Sequence, residues 1–500
     1  MPSEHRLHPY SIIFAFLTQI RLFVVPGIFV LVGMTSRNGD WWQPWMMLLI
    51  IPNAMVSVLR YVTFRYRYAE SEMVIRSGLV FRKERHIPYG RIQNIDAVQN
   101  VLHRLLNVVE VKVETGGGGT TEATMSVLPM FAFHEMRTRV FAERQAATPE
   151  VANATVAPAP ALLQLGTREL LLCGFIDNRG AVVIGAAAGV LWELGLFDRL
   201  MPTLFGETVT GRGAVRGLFR AAIGNVTVSL ERMLMTIAAI AMLFLVVRIL
   251  SMGWAAVRLN GFKLLVVGGD ARTEYGLLTR VAAAIPLRRV QTLTIRETPL
   301  HRVFGRVAVR VDTAGGRVED GNAKPHRESL APILRREALP DFVRAVVGPA
   351  YDGVAWQAMA PGAFRREVKG WLFSALLMFG GLTFWTRWWA VPVMPLLLAW
   401  AILGARYTVK HLGWAINDEA LLFKSGWLWR RVVIVRLSKV QTVTLGESPF
   451  DRRLAMAGLH VDTAGAAEGS VVHIPYLTRD TAATLYAQVS EEAAHRQFKW

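Results

Sequence analysis

Three arginines, Arg104, Arg302 and Arg452, each stand ten residues before a carboxylate: Glu114, Asp312 and Asp462. A guanidinium offers a planar fork of donors that suits a phosphate or a lipid headgroup, so these arginines could be anion contacts. The same spacing also makes a structural ion pair, tying a short turn to the strand after it. The ion pair is the preferred reading, because a carboxylate recurring beside each arginine would neutralise a phosphate site. Gln93, Gln291 and Gln441 stand eleven residues before the arginines, and Thr115, Thr313 and Thr463 eleven residues after them. The glutamines read as amides that satisfy buried backbone rather than as ligands.

Other chemistries find no footing. His103 and His301 share one position of the pattern, but one histidine per unit makes no metal site. His134-Glu135 lacks the second histidine of a zinc-protease helix, and Gly116–Gly119 has no Lys-Ser/Thr behind it to form a phosphate loop. Gly211, Gly213 and Gly217 miss the dinucleotide spacing. Cys173 is the sole cysteine, which excludes an intramolecular disulfide and any CxxC site. The sequence therefore predicts no catalytic residue, metal or cofactor.

The elements that position these residues come in three copies. IPYGRIQNIDAVQNVLHRLLNVVEVKVETGG runs from Ile87 to Gly117, IPLRRVQTLTIRETPLHRVFGRVAVRVDTAGG from Ile285 to Gly316, and VRLSKVQTVTLGESPFDRRLAMAGLHVDTAG from Val435 to Gly465. Such a repeat marks a supersecondary unit used three times. Upstream of each lies a turn, Ser77-Gly78, Tyr275-Gly276 or Ser425-Gly426; downstream, Pro129, Pro332 or Pro475 precedes a helical stretch. Val109, Val111 and Val113 alternate with polar residues, as do Val307, Val309 and Val311, which predicts strands with one buried face. Short strands closed by one helix predict a small β-barrel or sandwich capped by that helix.

The rest of the chain is apolar. Of 500 residues 52% are hydrophobic and only 19% charged, with a net charge of +18. A basic balance suits nucleic acid or anionic lipid, but no basic helix or basic-aromatic stripe supports nucleic acid. Candidate spans run from Ser11 to Met34, Trp41 to Tyr61, Ala181 to Phe197 and Met233 to Trp254, followed by two short, aromatic-flanked ones from Trp371 to Trp385 and Trp388 to Ala405. The third, rich in small residues, suits close packing inside a bundle. Six spans in three pairs return the chain to one side before each repeat. Arg60, Arg65, Arg67, Arg258, Lys263, Arg406 and Lys410 follow the pairs, which places that side in the cytoplasm. The loop 198–232 argues the other way, with five arginines against Asp198, Glu207 and Glu231. Arg21 and Glu193 are charges inside spans, open to mutual pairing, a transport path or snorkelling.

The division expected is a transmembrane pair at 1–62, a first repeat domain at 63–146, an Ala/Pro-rich linker at 147–165, a second pair at 166–258, a second domain at 259–348, a third pair at 349–411 and a third domain at 412–495.

The glycine turn, the Ile-Pro-x-x-Arg-[Ile/Val]-Gln run with Pro88 and Pro286, the Leu-His-Arg and the Val-x-Val-acid-Thr strand together resemble the membrane-flanked bacterial pleckstrin-homology-like domain family, in its three-domain membrane members. The third copy departs most, with Val435-Arg436 for Ile-Pro and Asp451 for histidine. The resemblance implies a non-enzymatic multi-pass scaffold of the cell membrane, binding protein partners or itself, with a role in envelope stress or resistance to membrane-active peptides. Anionic-lipid headgroup binding and a transporter accessory subunit are the alternatives.

Overall fold

A computed structural model of the protein describes residues 5–6, 8–11, 63–78, 82–115, 123–146, 161–177, 230–313, 329–386, 391–463 and 472–495, with single positions elsewhere. Domain 1 comprises β1 (His5–Arg6), β2 (Arg65–Tyr68), β3 (Glu72–Ser77), β4 (Lys83–Pro88), β5 (Ile92–Gln99), α1 (Val101–Leu105), β6 (Val108–Thr115), β7 (Ala123–Pro129) and α2 (Met130–Ala146). Next come β8 (Leu163–Gln164), α3 (Thr167–Ile176) and α4 (Leu230–Arg258). Domain 2 continues with β9 (Lys263–Val267), β10 (Asp270–Tyr275), β11 (Arg280–Pro286), β12 (Val290–Glu297), α5 (Pro299–Val303), β13 (Arg306–Thr313), β14 (Ser329–Arg335) and α6 (Leu339–Val347). The helices α7 (Ala363–Thr386) and α8 (Met394–Lys410) lead into domain 3: β15 (Gly413–Ile416), β16 (Ala420–Ser425), β17 (Arg430–Arg436), β18 (Val440–Gly446), α9 (Pro449–Arg452), β19 (Met456–Thr463), β20 (Val472–Thr478) and α10 (Arg479–His495).

All three domains fold alike. A tight hairpin joins the second and third strands through Gly78, Gly276 or Gly426, each at positive φ. A Cβ on Gly276 would overlap the Thr279 carbonyl, and one on Gly426 that of Trp429, so both turns require glycine. A 3-10 turn, Tyr89–Arg91, Leu287–Arg289 or Leu437–Lys439, then breaks the chain, and the fourth strand starts a second sheet. The expected alternation holds: Val109, Val111, Val113, Val307, Val309 and Val311 are all buried in their domain cores.

The prolines need a correction. Pro129 does end β7 directly before α2, but Pro332 and Pro475 lie inside β14 and β20, three residues before those strands end. The strand's final residue, not the proline, is the equivalent position. Two domain edges also reach further than expected. β1, ahead of the first span, pairs with β2, and β8, from the linker, pairs with β9.

Among the described residues two helices are long and apolar enough to cross a membrane, over Ala241–Arg258 in α4 and Val391–Lys410 at α8. They correspond to the fourth and sixth expected spans. α7 covers the fifth but carries Arg365, Arg366, Glu367 and Lys369 near its start. It packs on α8, where a Cβ on Gly404 would press into the Trp371 ring and Trp371 meets Trp400 edge-on at 4.8 Å. Phe373, Leu377 and Leu396 on this pair face outward, as a lipid-facing surface does. In α4, Arg248 is buried and donates from Nη1 to the Phe175 carbonyl of α3 at 2.6 Å, while its Nε is buried without a hydrogen-bond partner. The first three expected spans, with Arg21 and Glu193, lie outside the described residues apart from single positions. Six spans thus stand as an expectation, and among the described residues two helices have the length and apolarity that a span needs.

Candidate functional site at the domain junctions

The signature glutamine sits at a defect in the sheet. In each domain the fourth and fifth strands pair with one extra residue on the fourth: Ile92 faces Thr115 and Asn94 faces Glu114, skipping Gln93. Gln291 is skipped between Val290, opposite Thr313, and Thr292, opposite Asp312; Gln441 is skipped in the same way between Val440, opposite Thr463, and Thr442, opposite Asp462. The glutamine is a β-bulge residue, which twists the strand where the second sheet begins. Buried Gln291 donates from Nε2 to the Arg289 carbonyl at 3.3 Å. The side chains of Gln93, Glu114 and Thr115 lie outside the described residues.

The acid of the signature serves the same bulge. Asp312 accepts the Thr292 hydroxyl at 2.7 Å, and Asp462 accepts the backbone N–H of Thr463 at 2.8 Å. Among the described residues, neither Arg302 with Asp312 nor Arg452 with Asp462 makes the expected pair. Instead Arg302 donates from Nη2 to the carbonyl of Leu428 at 3.0 Å, and Arg104 from Nη1 to that of Leu277 at 3.1 Å. Each acceptor lies in the hairpin turn of the next domain. The arginine faces outward from the short helix across a domain boundary, away from the bulge that occupies the acid.

These contacts flank two strand junctions. β5 pairs antiparallel with β11, Gln99 facing Arg280, Val98 facing Val281 and Ala97 facing Ala282. β12 pairs with β17 from Glu297 opposite Arg430 to Thr292 opposite Val435. Gln99 and Glu297 each lie six residues after the signature glutamine, and Arg280 and Arg430 each eleven before it. Both junctions therefore use one register, and they fuse the domains' sheets into seven-stranded and six-stranded sheets.

Side chains close the gaps. Thr279 donates to Asn100 Oδ1 at 3.0 Å in the first junction. In the second, Glu297 takes Arg336 at 3.3 Å and Arg430 at 3.5 Å. Arg436 occupies the position of Pro88 and Pro286, and its departure from the pattern has a local cause. It donates to the carbonyls of Leu287 at 3.2 Å and Val346 at 2.9 Å in domain 2, and burial pushes its pKa down.

Beside this junction opens a cleft of about 350 Å³. Arg336, Lys410, His411, Lys424, Arg430 and Arg431 surround the single carboxylate Glu297. Lys424 Nζ lies 4.6 Å over the Trp356 ring, and burial lowers the pKa of that amine. Nε of both Arg430 and Arg431 is buried without a hydrogen-bond partner. Lys410 and His411 end the α8 segment, so the cleft lies where the chain leaves its apolar stretch. An excess of cations around an aromatic wall suits an anion.

Sequence reasoning missed Arg280, Glu297, Lys424 and Arg430. One signal was present: Arg82, Arg280 and Arg430 each stand eleven residues before a signature glutamine.

A family model described as Bacterial PH domain matches this chain three times, over residues 14–144, 215–346 and 368–493. The UPF0699 transmembrane protein YdbT of Bacillus subtilis (strain 168) is 23% identical over 479 residues, which covers 91% of each chain. No solved structure matches.

Proposed function

This chain belongs to the bacterial PH domain family and is a membrane protein with three such domains, and we propose that it works as a non-enzymatic scaffold. In this reading six spans in three pairs hold the domains in one row against the cytoplasmic face, where the row recruits protein partners. Its physiological setting is envelope stress or resistance to membrane-active peptides. The observation that carries the reading is the use of one strand register at both junctions. Strand pairing plus arginine-to-carbonyl bonds fixes the spacing of three domains, which presents a partner with a preorganised surface. Independent lipid-binding modules would need no such coupling.

The test is copurification from native membranes of the wild type and of Arg104→Glu/Arg302→Glu, which removes both arginine bonds. Loss of copurifying proteins, with the variant still folded in the membrane, supports the scaffold. An unchanged set of partners counts against it.

A second reading, anionic-lipid headgroup binding, is favoured by the cationic cleft around Lys424 and Arg431. Under it, Lys424→Glu/Arg431→Glu loses anionic lipid retained in native mass spectrometry of the purified protein. Equal retention contradicts it.

A further inference from the structure

The junction that forms twice inside the chain leaves its two halves unused at the ends. A junction needs the third strand of one domain and the fourth strand of the domain before it. Domain 1 offers β4, which is the outer strand of the β1–β4 sheet, and domain 3 offers β18, the outer strand of the β18–β20 sheet. Neither has a partner on that side among the described residues, and the two lie in separate sheets, so the chain does not close on itself.

Burial follows the pattern that an unfilled interface predicts. In β12 the signature positions Gln291, Thr292 and Thr294 are 4%, 1% and 4% exposed beneath β17. Their counterparts in β18, Gln441, Thr442 and Thr444, are exposed. Lys83, Glu84, Arg85 and His86 of β4 are likewise exposed, whereas Val433 and Ile434 of β17 are buried.

The side chains that lock the inner junctions recur at the free edges. Glu447 takes the place of Glu297 and holds Arg479 at 2.9 Å, as Glu297 holds Arg336. Arg430, the second cation on Glu297, has Arg82 as its counterpart. Arg452 takes the place of Arg104 and Arg302, is exposed, and makes no hydrogen bond to a neighbouring hairpin turn among the described residues.

We propose that β18 of one copy pairs with β4 of a second copy, in the inner-junction register, so that chains join head to tail in the membrane plane. This names the partner of the scaffold proposed above as a second copy of the chain. The register sets Glu447 against Arg82, Thr444 against Arg85 and Thr442 against Ile87. Arg452 then faces the hairpin turn that contains Gly78. A charged edge such as Lys83–His86 deters indiscriminate strand addition, which leaves an edge carrying a matched carboxylate as the fitting partner. The contact is heterologous, so it builds a ring or an open row rather than an isologous dimer. Repeating an operation that already relates three domains of one membrane chain keeps the second copy in the same bilayer.

Crosslinking of the full chain in native membranes tests this. In a Cys173→Ala background, two differently tagged copies are coexpressed, one with Arg82→Cys and the other with Glu447→Cys, then mildly oxidised. Arg85→Cys with Thr444→Cys is the second pair, which spares the Glu447–Arg479 bond. Gln99→Cys/Arg280→Cys within one chain reports the inner junction by itself. The expected result is an intrachain link for the last variant and mixed-tag dimers for both intermolecular pairs, without 82–82 or 447–447 homodimers. An intrachain link without mixed-tag dimers overturns the head-to-tail proposal while leaving the scaffold row standing. Failure of the intrachain link overturns the row and the proposal together, and homodimers alone replace the proposal with an isologous contact.

Discussion

Glu297, which ends the fourth strand of domain 2, and Arg430, which opens the third strand of domain 3, lie 3.5 Å apart at the register position where Gln99 faces Arg280 one junction earlier. The charged version belongs to the longer junction, six residue pairs against three. Domain 1 is therefore the more loosely held neighbour. Limited proteolysis of the purified chain should release domain 1 before it separates domains 2 and 3, and the reverse order would contradict this ranking.

Arg302→Ala should loosen the second junction. It removes a hydrogen bond from a charged donor to the Leu428 carbonyl, a contact of about 1.5–3 kcal/mol, with the lower end expected at a half-exposed site. Hydrogen exchange should accelerate in the 427–436 segment while the core of domain 2 stays protected. Unchanged exchange there would show that strand pairing alone holds the boundary.

Arg436→Met tests the departure of the third copy from Ile-Pro. The variant keeps the apolar stem and loses bonds to Leu287 and Val346. The Val346 carbonyl then loses its donor, at roughly 1–3 kcal/mol, whereas the Leu287 carbonyl keeps the Val290 N–H. A lower Tm is expected, and a wild-type Tm would mean that water or a neighbour replaces the guanidinium.

Acid should weaken domains 2 and 3. Burial holds His301 and His473 below the ordinary value of 6.5, with the neighbouring His460 adding to the shift at His473. Both rings stay neutral in the fold at a pH where the unfolded chain already binds the proton. Their contribution is full above about 6.5 and is lost as pH falls below it toward the lower folded values. Tm should drop on acidification through that window, and His301→Asn/His473→Asn should flatten the drop. An equally steep drop in the double variant would place the dependence elsewhere.

Sidedness needs introduced thiols, because Cys173 of α3 is buried in the core that includes domain 2. Glu70→Cys, Glu274→Cys and Asp480→Cys put one exposed thiol on each domain. On a Cys173→Ala background all three should react with an impermeant maleimide only after permeabilisation. Labelling of intact spheroplasts at any one would break the cytoplasmic topology.

Much of the fold was legible in the sequence, because equal spacing from Gln93 to Thr115, Gln291 to Thr313 and Gln441 to Thr463 demands equal domains. The role of the arginines was not. Arg104 and Arg302 bind backbone carbonyls of the next domain, and a carbonyl carries no residue identity for a pattern to reveal. The carboxylate at a fixed distance was a plausible partner on spacing alone, but the bulge had already claimed it. Arg436 looked like divergence because its acceptors, too, are main-chain atoms. The junction register was readable only through Arg82, Arg280 and Arg430, whose meaning depends on knowing that domains pair edge to edge.

The central claim is that neighbouring domains are joined by strand pairing in a fixed register. Its most direct test is cysteine pairing across the second junction in native membranes, again without Cys173. Directly opposed residues of antiparallel strands lie within disulfide reach, whereas a shift of one residue turns the side chains to opposite faces. The account predicts a rapid intrachain disulfide for Glu297→Cys/Arg430→Cys and none for Glu297→Cys/Arg431→Cys. Equal crosslinking of the two pairs, or none in either, would contradict it.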